Sequence, residues 1–229
     1  MYKYSMFRWL RKTQIKAHLP KIELSLLLPN EILVKILEPD AKDGNVSLGE
    51  LVIISQLVKL RNPLKIFEIG TFDGRTTLNL ALNSPPGGRI FTLDLPPTWT
   101  YDVQVKKDIG CRGDRKFIGK VETGFRFRGK EVSKKIEQLF GDSTRFDFSP
   151  YQNSMDFIFV DGSHAYEYVL KDSENALKMI KPGGIILFHD YNTSWPGVTK
   201  ALNELFASDL RFKDLKHISG TSLVCLTVV

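Results

Sequence analysis

Five apolar runs in this chain end in an acid, and the last of them in a histidine as well. Leu64 to Ile69 carries Glu68 and stops at Gly70. Arg89 to Leu93 is followed by Asp94, Lys135 to Phe140 by Gly141-Asp142-Ser143, Met155 to Val160 by Asp161, and Ile185 to Phe188 by His189-Asp190. One such acid alone reads as a solvated loop residue or a helix cap. Five in succession, each after a strand-like run, point to a shared crevice in which carboxylates face one ligand. Carboxylates accept hydrogen bonds from hydroxyls and cations and hold divalent metals. Imidazole exchanges a proton near neutral pH. His164, three residues beyond Asp161, supplies a second imidazole to the same region.

The elements that would position these groups alternate along the chain. Ser47-Leu48-Gly49-Glu50 has the spacing of a capping box and opens a helix that stops near Asn62-Pro63. The strand Leu64 to Ile69 leads to a helix over Thr76 to Leu82, halted by Ser84-Pro85-Pro86-Gly87-Gly88. Strands over Arg89 to Leu93, Lys135 to Phe140 and Met155 to Val160 come next. His164 to Ile180 is a helix with Ala165, Val169, Ala176, Leu177 and Ile180 on one face, terminated by Lys181-Pro182-Gly183-Gly184. After Ile185 to Phe188, Pro196 opens another helix. Two last strands, Phe212 to Ile218 and Ser222 to Val229, are separated only by Ser219-Gly220-Thr221, so they form an antiparallel hairpin. The expected fold is α/β: a Rossmann-like, doubly wound, seven-stranded sheet, mostly parallel, with a C-terminal antiparallel hairpin. That hairpin departs from the six-parallel-strand dinucleotide fold.

The first strand end reads Phe67-Glu68-Ile69-Gly70-Thr71-Phe72-Asp73-Gly74. Its glycine spacing is not the GxGxxG of nicotinamide enzymes, and no run matches GxxxxGK[ST]. Glu68 to Gly74 resembles the first motif of class I S-adenosylmethionine (SAM)-dependent methyltransferases. Asp94 resembles their ribose-binding acid, and Gly141-Asp142-Ser143 the loop beside the adenine. Phe159 to Tyr166, with Pro182-Gly183-Gly184 and His189-Asp190-Tyr191, resembles the subgroup compared with small-molecule O-methyltransferases. The resemblance covers about residues 47 to 229.

This resemblance implies that Glu68, Gly70, Thr71 and Gly74 hold the methionine end of SAM. Asp94 would accept from the ribose hydroxyls, Asp142 and Ser143 would flank the adenine, and Asp161 would lie near the sulfonium. It also implies methyl transfer to a hydroxyl of a small-molecule acceptor such as a sugar, a phenol or a secondary metabolite. Two routes are open for the acceptor proton. Asp161 and Asp190 could coordinate Mg2+ and acidify the hydroxyl. In the metal-dependent relatives an Asn or Asp often follows the second acid, whereas Tyr191 stands here. The other route uses His189 or His164, with Asp190, as acid-base machinery without metal. Phe72, Trp99, Tyr101, Tyr166, Tyr191 and Trp195 are candidates to line the acceptor pocket, Trp195 and Tyr191 first among them. Two other readings remain: a nucleic-acid methyltransferase, and a non-catalytic module of the same fold.

Length and charge bound these readings. The chain has 229 residues and a net charge of +6. Six basic residues and no acid fall within residues 1–21, so the remainder of the chain is balanced. Residues 1–45 are read as a basic N-terminal extension and 46–229 as the SAM-binding domain, with a basic, glycine-containing insertion at about 96–130. The extension is a candidate contact between copies in a homo-oligomer. Nucleic acid is the less favoured partner, since no Asn-Pro-Pro-Tyr type motif stands beside Asp190. No apolar run approaches the length of a transmembrane segment. Cys111 and Cys225 make neither a disulfide framework nor a zinc site, which fits a reducing, cytoplasmic setting.

Overall fold

Alternation along the central strands sorts their side chains onto two faces. In β2 (Lys65–Ile69) Phe67 and Ile69 face one way, Ile66 and Glu68 the other. In β5 (Met155–Val160) Ile158 and Val160 oppose Phe157 and Phe159 in the same manner. Both faces are apolar, so both must be covered by helices. The computed structural model describes residues 16–97, 114 and 122–229. One core packs Ile66, Phe157 and Phe159 against α1 (Leu48–Arg61) and α2 (Arg75–Asn83). The other packs Phe67, Ile158 and Val160 against α3 (Tyr166–Met179) and α4 (Pro196–Ser208).

The remaining strands are β1 (Lys21–Ile22), β3 (Arg89–Asp94), β4 (Ile136–Phe140), β6 (Ile180–Phe188), β7 (Lys216–Ile218) and β8 (Val224–Thr227). They form one sheet in the order β1-β7-β8-β6-β5-β2-β3-β4. Every pairing is parallel except those of β8 with β6 and β7. The mostly parallel sheet and its terminal antiparallel pair are as the sequence predicts. The strand number is corrected from seven to eight. Lys21 and Ile22 pair with His217 and Ile218, and two residues are too few to leave a period-two signature. Lys181 to Gly184 also differs from expectation: it lies within β6. The register jumps there, Met155 opposing Ile180 and Phe157 opposing Ile185, so a bulge takes up the extra residues.

Residues 35–46 run past α2 without regular structure, bending at Glu38 (φ +54°) and turning at 43–45. Asn83 and Asn79 each bond the backbone N–H and C=O of one residue, Lys35 and Leu37 respectively. Arg75, one turn earlier and fully buried, donates to the carbonyls of Glu38, Pro39 and Val46. Four residues of helix rise about 6 Å and two of extended chain about 6.6 Å, so one helix face can bond alternate backbone positions.

Candidate active site

The order in which successive strands are added to the sheet reverses between the parallel neighbours β2 and β5: β3 and β4 lie on one side, β6 and β8 on the other. Ligands in open α/β sheets bind at such a point, beyond the carboxyl ends of the strands. Gly70 sits there with φ +101°. Its N–H donates to Leu93, and the Asp161 N–H donates to Ile69, so the loops after β2, β3 and β5 are tied together. A Cβ on Gly70 would lie 2.0 Å from the Asp161 carbonyl oxygen. Asp94 is fixed at the end of β3 by the N–H groups of Phe72 at 2.6 Å and Leu95 at 2.7 Å.

The other residues of the first motif are placed less directly. Glu68 points to the α2 side of the sheet and is fully buried. The hydroxyls of Thr77 and Thr92 donate to its Oε2, while Oε1 has no partner among the described residues. Burial pushes this carboxyl up to about 8 despite those two bonds. Thr71 shares a hydrogen bond with Thr92 at 2.6 Å, also inward. Gly74, with φ +86°, caps α2 and is covered by Phe127 and Gly124. Asp73 and Arg126 form a buried ion pair at 2.8 Å that locks this covering segment to the loop. Asp142 closes the turn after β4, accepting from Thr144 N–H and Oγ1 and from the Tyr168 hydroxyl. The backbone oxygen of Ser143 accepts from Asn175.

The ends of β5 and β6 bring the predicted acid-base residues together. His189 Nδ1 lies 3.0 Å from Asp161 and 3.2 Å from Asp190, and Nε2 lies 3.4 Å from Glu50. His164 Nε2 lies 2.7 Å from Asp190, and Nδ1 lies 2.5 Å from Asp114. The His164 ring stacks on Trp195, centroids 3.6 Å apart. Gly197 allows α4 to approach, since a Cβ there would be 2.2 Å from the His164 carbonyl oxygen. Two imidazoles are thus set among four carboxyl groups. Burial alone would lower the His164 pKa, but the bonds to Asp114 and Asp190 outweigh it and lift it to about 9. Burial likewise opposes protonation of His189, and Asp161, Asp190 and Glu50 together hold it well above its ordinary value. Asp190 is desolvated, yet the two imidazoles hold it below the usual carboxylate range. Asp161, fully desolvated, is pushed up.

Glu50 and Asp114 were not singled out as site residues by sequence. Glu50 belongs to the capping box at the start of α1, which forms as expected. Its second oxygen accepts from Ser222 N–H and Oγ at 2.8 Å, so the helix cap also braces His189 against the β7–β8 turn. Asp114 comes from the insertion, 50 positions before His164, and no local pattern marks it.

Tyr191 does not line a pocket, which corrects its placement among the acceptor-facing aromatics. Its side chain is buried, and its hydroxyl accepts from the N–H groups of His18 and Leu19 and donates to Asn203. Tyr166 bonds Glu204 at the surface. Trp99 and Tyr101 lie outside the described residues, as do Cys111 and most of residues 96–130. Ligand atoms of Asp161, His164 and Asp190 all fall within 4.8 Å of one another, close enough to share a cation. No helix among the described residues is long and apolar enough to cross a membrane.

Comparison with known proteins adds the following. The family described as a methyltransferase domain matches residues 67–191, more than half of the chain. A protein of Arabidopsis thaliana named for caffeoyl-CoA O-methylation is 32% identical over 163 residues, covering 68% of this chain and 60% of that protein. The flavonoid 3',5'-methyltransferase of Vitis vinifera is 31% identical over 196 residues, covering 76% of this chain and 74% of that protein. The chain thus spans less than two thirds of the length of the Arabidopsis relative. In fold, it superposes on the O-methyltransferase TomG from Streptomyces achromogenes, solved with SAM, at a TM-score of 0.59 and 20% identity, over 86% of this chain and 92% of that one.

Proposed function

Because this chain belongs to the methyltransferase-domain family, we propose that it is a SAM-dependent methyltransferase acting on a hydroxyl of a small molecule, such as a sugar, a phenol or a secondary metabolite. The observation that carries the reading is the setting of two imidazoles around Asp190 at the crevice beside Gly70, His164 between Asp190 and Asp114 and His189 against Asp190 and Asp161. Hydroxyl methylation needs an aligned acceptor and a place for its proton. This cluster offers the second within hydrogen-bond reach of the strand ends that suit SAM.

The donor and acceptor pattern fits that cofactor. SAM presents ribose hydroxyls, an adenine amino group, an ammonium and a sulfonium, and the strand ends present carboxylates. Asp94 would accept from the ribose, its orientation held by Phe72 and Leu95. Asp142 and Ser143 would flank the adenine, and Asp161 the sulfonium end. Gly70, Thr71 and Gly74 shape the loop for the methionine end, with Glu68 behind it. SAM supplies an electrophilic methyl group. A bound acceptor hydroxyl would take that methyl group, SAM leaving as S-adenosylhomocysteine, and His164 Nε2 would receive the hydroxyl proton. His164 is favoured over His189 because its Nε2 has the single partner Asp190 to exchange for an acceptor, whereas His189 Nδ1 lies against Asp161 and Asp190 together and its Nε2 against Glu50, which is itself held by Ser222.

A Mg2+ site fits less well. Mg2+ favours octahedral oxygen ligands. Here both carboxylates are engaged by imidazoles, and Tyr191 turns its hydroxyl away toward His18 and Leu19. No step is therefore assigned to a metal.

The deciding experiment is calorimetric titration with SAM and S-adenosylhomocysteine (SAH), with Mg2+ and again with a chelator. Micromolar affinity unaffected by chelation supports the reading. No binding of either ligand to folded protein would sink it. In the same titration Asp94→Ala should weaken SAH about a hundredfold, the scale of losing hydrogen bonds to a charged acceptor. Unchanged affinity would remove the ribose from Asp94. The pH profile follows from the raised His164 pKa. A base must be unprotonated, so turnover should rise about tenfold per pH unit below the pKa and level off near 9. A profile already level at neutral pH would rule out His164 as the base.

A further inference from the structure

Tyr168, Asp172 and Asn175 share one face of α3, at i, i+4 and i+7, and that face meets the turn after β4. The Tyr168 hydroxyl donates to Asp142 Oδ2 at 3.2 Å, and Asn175 Nδ2 donates to the Ser143 backbone oxygen at 3.3 Å. Asp172 stands between them and is 1% exposed. The Ser143 hydroxyl bears on its carboxyl as a donor and Asp142 as a like charge. Yet neither Asp172 oxygen has a partner in full hydrogen-bond geometry among the described residues. The turn after β5 lies against the same carboxyl: a Cβ on Gly162 would be 3.4 Å from Asp172 Oδ2. Asp172 thus sits between two of the strand-end turns that bound the crevice.

A buried acceptor left unpaired is destabilising, and folded proteins pair nearly all such groups. Packing alone would be served better by leucine, which has the same branched shape and nothing to desolvate. A carboxyl here is of use only as an acceptor, and the donor that reaches toward it is Ser143.

We propose that Asp172 is a positioning residue for the adenine: it draws the Ser143 hydroxyl toward α3 and so holds the turn Gly141-Asp142-Ser143 in place at the crevice. The role rests on the SAM reading above, in which that turn flanks the ring. Tyr168 and Asn175 tie Asp142 and the Ser143 backbone from the same helix face, and Asp172 supplies the middle of the row. Adenine presents a donor, its 6-amino group, beside an acceptor, N1. Reading that pair needs an acceptor and a donor at fixed spacing. A turn that shifts therefore loses its preference for adenine first, since the ribose and the methionine end are held at other strand ends. Closure of Ser143 onto Asp172 also gives the buried carboxyl the bond it lacks, which couples its pairing to the seating of the ring.

The test is calorimetric titration of the full chain with SAH and with S-inosylhomocysteine, which carries a carbonyl in place of the 6-amino group and a hydrogen on N1. Wild-type protein should prefer SAH by at least about tenfold, the scale of one hydrogen bond to a charged group. Asp172→Leu keeps the shape and accepts nothing. Its preference should fall below about threefold, through weaker SAH binding, with S-inosylhomocysteine changed less than about twofold. Asp172→Asn, whose amide oxygen still accepts from Ser143, should keep most of the preference. Ser143→Ala removes the other side of the contact, so it should match the Asp172→Leu ratio, and the double variant should lose no more. A residue serving the fold alone would weaken both ligands together. Equal loss for the two ligands, or an unchanged ratio, in Asp172→Leu overturns the proposal. If that variant does not fold, an unchanged ratio in Ser143→Ala overturns it equally. Wild-type protein that binds SAH without preference overturns the adenine role alone, and wild-type protein that binds neither ligand overturns the SAM reading and this role with it.

Discussion

Asp190→Ala is expected to lower turnover at least about a thousandfold while SAH affinity stays within about threefold. The Asp190 carboxylate touches both imidazoles, His164 at 2.7 Å and His189 at 3.2 Å. It is the group that lets two protonated rings lie side by side. Without it, each ring loses a stabilising charge, the His164 ring loses the bond that aims Nε2, and the proton balance at the acceptor changes. A general base accounts for about 100- to 10,000-fold in rate, and a base that also loses its orientation falls toward the upper end. Asp190 has φ +62°, where Asn is tolerated better than Ala. Asp190→Asn, retaining the backbone and one hydrogen bond, should therefore be the milder change. The measurement is kcat beside an SAH titration. Turnover within tenfold of wild type would remove Asp190 from the chemistry, and loss of SAH binding in parallel would make its role structural.

Gly70→Ala carries the largest expected effect on stability, a loss of at least about 3 kcal/mol in urea unfolding. The added carbon would lie 2.0 Å from the Asp161 carbonyl oxygen and 2.6 Å from its carbon, both backbone atoms. Neither can swing aside as a side chain would, so β5 must move away from the loop after β2. The positive φ adds roughly a further 1 kcal/mol of strain. Gly129→Ala is the matched control: its φ is +72°, and nothing lies within 4 Å of the new carbon. It should cost only the conformational part, about 1 kcal/mol. Equal losses at the two positions would show that the contact between the two loops is not a tight one.

The grouping of the candidate site was legible in the sequence where acids and histidines coincided with strand ends. Asp94, Asp161, His189 and Asp190 each follow an apolar run, and a parallel sheet sends all such ends to one edge. Reading Gly70 needed only the rule that a chain must bend sharply where it leaves a strand at the crevice. Side-chain direction was harder. Glu68 lies in the same motif as Gly70, but its place in the pleat turns it beneath the sheet, into the layer shared with Thr77 and Thr92. Contacts made at long range were not legible. Asp114 reaches His164 across 50 positions, and Glu50 reaches Ser222 across 172. Neither leaves a local period or spacing. The place of Tyr191 is hidden for a related reason, since an aromatic after a strand end serves equally well to anchor a distant backbone. The two-residue β1 is held by its partner β7 and not by any pattern of its own.

The row of Arg75, Asn79 and Asn83 on α2 stands in for a missing neighbouring strand. Their amides and guanidinium give residues 35 to 39 the backbone bonding that a sheet edge would otherwise provide. Such a template reads position and not side-chain identity, so replacements at Lys35 and Leu37 should keep the bonding while a change in the spacing between them should not. An inserted residue between 35 and 39 would put every later backbone group out of step with the helix face. It would also leave the buried Arg75 charge without the carbonyls that act as its solvent. Length changes on this stretch should therefore be far less permissible than replacements, because the segment between β1 and α1 is fixed to the helix face by counting.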